Sequence, residues 1–398
     1  MEFSGEVPTQ SSVASRQLSR LALAAVLLLS TIGLSSCGDI YRPVANPIIP
    51  PGGNPEQTFY AIVVGSNGTA NGGAATVDVS GDTNIGNAVL GINPVHVSLF
   101  STALAVAANQ GSDSVTLYQP NFPSLTTTTV SLPAGSAPVY SAQNSTSAYV
   151  ADYGLNQVAV ISSTLKAATA FVNVGLHPIA VAVTPDNRKV FCINQGDGTV
   201  TVISTVNNSV VATIQVGHNP VRGVMRTDGA FYYVVNQADS TVSVIDTNAQ
   251  AVIATLSVGI SPYGISYDAN LARLYVANTG SNSVSIFNAN TNTPVLITTV
   301  TAGSAPMAAT ALQDGTKFYV ANSGDNTVSV FNAVSFVLMK TVPVGTNPVW
   351  IDSSPDSTKV YTPNKGSGTV SVIETVTDTV PVSLPTPSPA PTFVAVTQ

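Results

Sequence analysis

The sequence predicts an all-β fold, a β-propeller of four-stranded blades, on three observations. One motif recurs at a nearly constant period, each period carries four short strand signals, and turn-forming residues separate them. The Asn or Asp that ends the motif's best-marked strand falls at Asn67, Asn109, Asp152, Asn194, Asn236, Asn278, Asn322 and Asn364. The steps between these anchors are 42, 43, 42, 42, 42, 44 and 42 residues.

Within one period the strands follow in order. Around Asn278 they read PYGISYD (262–268), RLYVAN (273–278), SVSIFN (283–288) and PVLITTV (294–300). Asp-Ala-Asn, Thr-Gly-Ser-Asn and Ala-Asn-Thr-Asn fill the gaps, residues that accept tight turns. Segments such as AVAV and TVSV carry apolar or small residues on both faces, as sheets covered on both sides require. Helical repeats of similar period are excluded by the β-branched residues and frequent glycines.

The ring is closed by the chain's end. Residues 391–397, PTFVAVT, match the first strand of a repeat such as PIAVAVT at 178–184. The copy beginning near Phe59 lacks that strand, so the C-terminus is expected to supply it and cover two open edges. Eight blades are favoured. Seven would require the copy at 58–90, with a Gly-rich loop over Asn67–Ala75, to lie outside the ring.

Composition narrows the function classes. Of 398 residues, 8% are charged, against about 25% in an ordinary soluble domain. With 44% hydrophobic residues the chain is nonetheless able to build a core. A net charge of −7 argues against a nucleic-acid partner.

The N-terminus reads as an export signal spanning 1–36. Arg16 and Arg20 precede an apolar stretch, Leu21–Leu29, followed by Thr31-Ile32-Gly33 and then Leu34-Ser35-Ser36-Cys37. The apolar stretch is shorter than the roughly 20 residues of a membrane span. Leu-Ser-Ser-Cys resembles the lipobox of bacterial lipoproteins, which implies acylation of Cys37 and attachment to a membrane through that lipid. Residues 37–57, rich in Pro, Gly and Asn, read as a tether, and 58–398 as the propeller. The expected location is the outer membrane, the periplasmic face or the cell surface.

Tyr275-Val276-Ala277-Asn278 and Tyr319-Val320-Ala321-Asn322, each followed by Ser/Thr-Val-Ser-Ile/Val, carry a further resemblance. With Val-Gly-x-x-Pro at Val216–Pro220 and Val344–Pro348, they resemble the YVTN-type β-propeller repeat of bacterial and archaeal envelope proteins. The resemblance implies a propeller, commonly seven-bladed, and a surface or periplasmic place. It implies no chemistry.

Residues that could carry chemistry are few. His96, His177 and His218 all sit at junctions between blades and read as surface loop residues. Cys192 replaces a strand valine and reads as a buried small hydrophobe. No Cys-x-x-Cys-His exists for covalent haem, and neither a metal site nor a cofactor is expected. The anchor asparagines read as turn caps bonding to backbone. Asp197, Asp239 and Asp325 in the next loops could hold calcium, but such aspartates do not recur in every blade.

The second residue after each inner-strand proline is the most informative position. Ala180, Gly264 and Ala308 show the small residue usual there, whereas this chain also places His96, Tyr140, Arg222, Trp350 and Phe393 at it. In ring order Trp350, Phe393, His96 and Tyr140 are consecutive, and Arg222 interrupts the smooth half. Asp352 lies two residues beyond Trp350. These six are the candidate binding residues, since apolar bodies with polar tips around a concave mouth suit a ligand. Filling of a wide channel explains the same residues without a ligand.

With no acid–base pair or metal constellation in view, the sequence favours a non-enzymatic binding module for a protein, peptide or glycan, with no catalytic residue. One alternative is a propeller enzyme resembling lactonases or quinoprotein-like dehydrogenases, with Asp352, Arg222 and His96 as its only candidate set. Another is a structural surface-layer component. Fold alone does not choose among them.

Overall fold

A computed structural model describes residues 59–100, 104–120 and 126–397. The signal segment, Cys37 and the tether lie outside the described residues. The described chain forms eight four-stranded antiparallel sheets, seven of them running from innermost to outermost strand in chain order. Blade 2 begins at Pro94, blade 3 at Pro138, blade 4 at Pro178, blade 5 at Pro220, blade 6 at Pro262 and blade 7 at Pro306. Blade 8 runs from Asp352–Ser353 to Thr379–Pro385.

Blade 1 holds Tyr60–Asn67, Ala70–Asp78 and Thr83–Ile92, and its innermost strand is the C-terminal Ala390–Val396. All eight copies of the motif therefore enter the ring. The stretch expected to be a Gly-rich loop, Asn67–Ala75, is instead a tight hairpin, with Gly65 opposite Gly73. The small residues serve close approach there: a Cβ on Gly72 would lie 2.3 Å from Pro94 Cδ in blade 2.

The core lies between blades. Second-strand residues such as Phe191, Tyr233, Tyr275, Phe318 and Tyr319 are fully buried and pack against the neighbouring sheet. This explains why the strands are apolar on both faces.

The anchors stitch each blade internally. Asn194 Nδ2 donates to Thr199 Oγ1 at 2.9 Å and Thr201 Oγ1 at 2.8 Å, and five other anchor asparagines repeat the pattern at the same spacing. Those bonds run mainly to hydroxyls of the next strand, which corrects the expectation of backbone caps. Asn67 differs, being exposed. The loop aspartates stitch blade to blade. Asp197 accepts the Leu176 amide at 2.6 Å, Asp239 that of His218 at 2.7 Å, and Asp325 that of Ser304. Ser112, Ser281 and Ser367 do the same work elsewhere. These contacts dictate the glycine of Val-Gly-x-x-Pro: a Cβ on Gly217 would lie 2.5 Å from Asp239 Oδ2 and 2.7 Å from Asn236 Cγ.

Blade 3 departs from the pattern and compensates. Its anchor, Asp152, has no amide to donate, and the hydroxyl five residues on is replaced by Gln157, whose Nε2 donates to Asp152 Oδ2 at 3.0 Å. Burial pushes the Asp152 carboxyl up to about 7 from 3.8. The folded protein thus binds a proton that the unfolded chain releases between about pH 4 and 7. That contribution to stability falls as pH rises through this window. Asp152→Asn should stabilise the protein at pH 8 by on the order of 2 kcal/mol and leave it unchanged near pH 4, read by denaturant unfolding at both pH values. Equal effects at the two pH values would contradict this account.

Candidate functional site

The site is built by a bulge repeated around the ring. In blades 2 to 5 and 7, pairing of the inner strand with the second strand skips one residue immediately after the proline. In blade 6 the skip is wider, from Pro262 to Ile265. A bulge re-aims side chains next to it, and here the first residue after the proline, as well as the second, turns to the axis. A cavity of about 450 Å³ opens there.

Every blade contributes its first post-proline residue to the cavity wall. Val95, Val139, Ile179, Val221, Met307 and Val349 form an aliphatic collar, completed by Tyr263 and Thr392. Below it lie Tyr140, Arg222 and Trp350, and around the rim Gln195, Gln237 and Lys365, each directly after an anchor residue. Parity reasoning missed the collar, because alternation assigns only every second residue to one face. The recurring proline was its signal.

The four rings of the arc are in contact, two pairs stacked and the middle pair, His96 and Phe393, tilted by 46°. Ring centroids of Trp350 and Phe393 are 4.9 Å apart, those of Phe393 and His96 4.4 Å, and those of His96 and Tyr140 3.6 Å. Arg222 does not face this arc across an open channel. Its guanidinium sits 5.2 Å from the Tyr140 ring centre and 4.9 Å from that of Trp350, closing the arc into a loop. It also lies 5.5 Å from the Tyr263 ring centre, and Nη2 donates to the Tyr263 hydroxyl at 3.5 Å. Nη1 is closed to solvent and has no hydrogen-bond partner. The guanidinium holds the Tyr263 phenol below the ordinary tyrosine range. Among the described residues, no carboxylate lines the cavity.

Of the six candidate residues, Tyr140, Arg222 and Trp350 line the cavity, and His96, Phe393 and Asp352 stand behind it. His96 is 4% exposed, which corrects its reading as a surface loop residue. Burial, with Arg222 nearby, keeps its pKa well below 6.5, and its Nδ1 accepts the Ser141 amide at 3.3 Å. It is a neutral ring in the stack. His177 stacks on Tyr153 and His218 pairs with Asp239, both on the exposed surface. Cys192 is buried, with its thiol pushed up by burial.

Asp352 accepts the Val396 amide at 3.0 Å and the Ser353 amide at 3.0 Å, joining blade 8 to the closing strand. Burial pushes its carboxyl up to about 6. Next to it the inner strand of blade 8 shrinks to two residues, and Pro363 explains why. It stands where other blades have an amide-bearing residue and has no N–H to give to Trp350. The Thr362 hydroxyl donates to the Trp350 carbonyl instead, at 2.7 Å.

Comparison with known proteins adds the family. A model described as a lactonase, seven-bladed β-propeller, matches residues 54–334. Blade 8 and the closing strand lie beyond that match. No curated protein matches the chain by sequence. Among solved structures, the periplasmic gluconolactonase of Pseudomonas aeruginosa is 16% identical, with a TM-score of 0.60, covering 85% of this chain and 99% of its own. The Kuenenia stuttgartiensis hydrazine synthase is 19% identical, with a TM-score of 0.59 and coverages of 72% and 96%. A dihydro-heme d1 dehydrogenase is 12% identical, with a TM-score of 0.69 and coverages of 88% and 77%. At such identities these structures share the fold alone.

The family match corrects the expectation of a non-enzymatic binding module. That expectation rested on the absence of an acid–base pair, whereas this cavity presents an arginine–tyrosine pair contributed by two blades. The enzyme alternative resembling lactonases takes its place.

Proposed function

The chain belongs to the lactonase family of β-propellers, and from that premise we propose that it opens lactone rings by hydrolysis at the channel mouth. The observation that carries the reading is Arg222, a guanidinium in the cavity lining that no carboxylate of that lining neutralises. Water adds to the lactone carbonyl carbon, and the carbonyl oxygen becomes an oxyanion. Arg222 supplies the donors that stabilise it. The ring C–O bond then breaks, the leaving alkoxide takes up a proton, and the product is a hydroxy acid. Tyr263, its phenol acidified by Arg222, takes the proton from the attacking water and returns one to the alkoxide. Rates should therefore rise with pH through the Tyr263 titration. The test is titrated acid release from a panel of lactones by the purified protein. Hydrolysis lost on Tyr263→Phe supports these roles, and no hydrolysis of any lactone contradicts the reading.

The same proposal places the enzyme outside the cytoplasm, held to a membrane by a lipid on Cys37. The basic, apolar and Leu-Ser-Ser-Cys order of the N-terminus supports it. Cys37→Ser should move the protein from the membrane to the soluble fraction with its unfolding midpoint unchanged. Undiminished membrane partitioning would contradict the anchor.

A further inference from the structure

We propose that the lactone this site selects has an apolar body, carrying an alkyl or aryl substituent, and is not a polyhydroxylated sugar lactone. The inference rests on the lactonase reading and deepens it. Six of the eight collar positions are aliphatic, and two aromatic faces, Tyr140 and Trp350, lie beneath them. A sugar presents several hydroxyls, each needing an acceptor for its proton as well as a donor for its oxygen. The six aliphatic side chains of this wall offer neither donor nor acceptor. Among its described residues there is no carboxylate, and Arg222 and Lys365 only donate. Gln237 Oε1 already accepts from Asn219 Nδ2 at 3.0 Å and the Thr392 proton is already given to the carbonyls of Val64 and Pro94, which leaves Gln195 and the hydroxyls of Tyr140 and Tyr263 as the other polar groups of the lining. A sugar ring entering the collar would lose its hydration without replacement. An alkyl or aryl group loses nothing there, and its burial is favourable. The Arg222 guanidinium lies among the aromatic rings, where one carbonyl oxygen suffices to meet it.

The experiment compares δ-decalactone with glucono-δ-lactone on the full-length protein in detergent, by acid release and by quenching of Trp350, the only tryptophan. The expected result is kcat/KM higher for δ-decalactone by about tenfold or more, since a single methylene in an apolar pocket is worth on the order of tenfold. Met307→Gln and Ile179→Asn, tested separately, should each reduce that ratio while the melting temperature holds. Equal or better hydrolysis of glucono-δ-lactone overturns the inference and leaves the lactonase reading standing. Quenching by δ-decalactone alone, with neither lactone opened, sustains the apolar selectivity and overturns the lactonase reading. Neither quenching nor hydrolysis overturns both.

Discussion

Arg222→Met should lower kcat for lactone opening by about 10²- to 10³-fold, the usual cost of removing an oxyanion donor from an enclosed site. KM should move less, because the collar that holds the body of the substrate is untouched. The fold should survive. Arg222 makes cation–π contacts to three rings, worth about 0.5–2 kcal/mol each. Against that loss, methionine removes a buried donor that has no partner in the free protein, a cost of about 1–3 kcal/mol. A second readout separates electrostatics from packing. Without the guanidinium, the Tyr263 phenol returns toward its ordinary range, so the rising limb of the residual pH–rate profile should move to higher pH. A variant that keeps the wild-type kcat would remove Arg222 from the chemistry.

Deletion of residues 390–398 should abolish the monomeric fold. The closing strand pairs with Tyr60–Asn67 from Ala61↔Val396 to Ser66↔Ala390, and each backbone bond contributes about 0.5–1.5 kcal/mol net. Phe393, Val394 and Val396 are buried, at about 1.5–3 kcal/mol per side chain. The Thr397 hydroxyl accepts the Tyr60 amide at 2.8 Å, and Asp352 loses the Val396 amide. Together these losses match the 5–15 kcal/mol that holds an ordinary domain together. Two sheet edges would also be left open to other chains. Size-exclusion chromatography and thermal unfolding should show aggregation or a large drop in midpoint. A truncated chain that melts like the full one would reduce the segment to a tail.

The fold was largely legible in the sequence because each blade repeats the same constraints. The period set the blade count, and the likeness of residues 391–397 to an inner strand located the closure. The site was only half legible. Tyr140, Arg222 and Trp350 stood out against Gly and Ala at one strand position, but the collar was hidden by a bulge that breaks the alternation on which such comparisons depend. The partners of Arg222 were hidden as well, since Tyr140, Tyr263 and Trp350 come from three different blades. Asp352 stood out as the sole carboxylate at its position, yet its partner amide comes from the far end of the chain. Two local departures carried readable signals: Pro363 inside a paired strand, and the exchange of Asn and Ser/Thr for Asp152 and Gln157.

The most direct measurement of the central claim is the structure of the protein bound to δ-decanolactam, an unreactive analogue of the apolar lactone. The account places the lactam carbonyl oxygen within hydrogen-bonding distance of the Arg222 guanidinium and its alkyl chain within the collar. A lactam bound outside the channel, or one seated in it with its carbonyl oxygen away from the guanidinium, would contradict it.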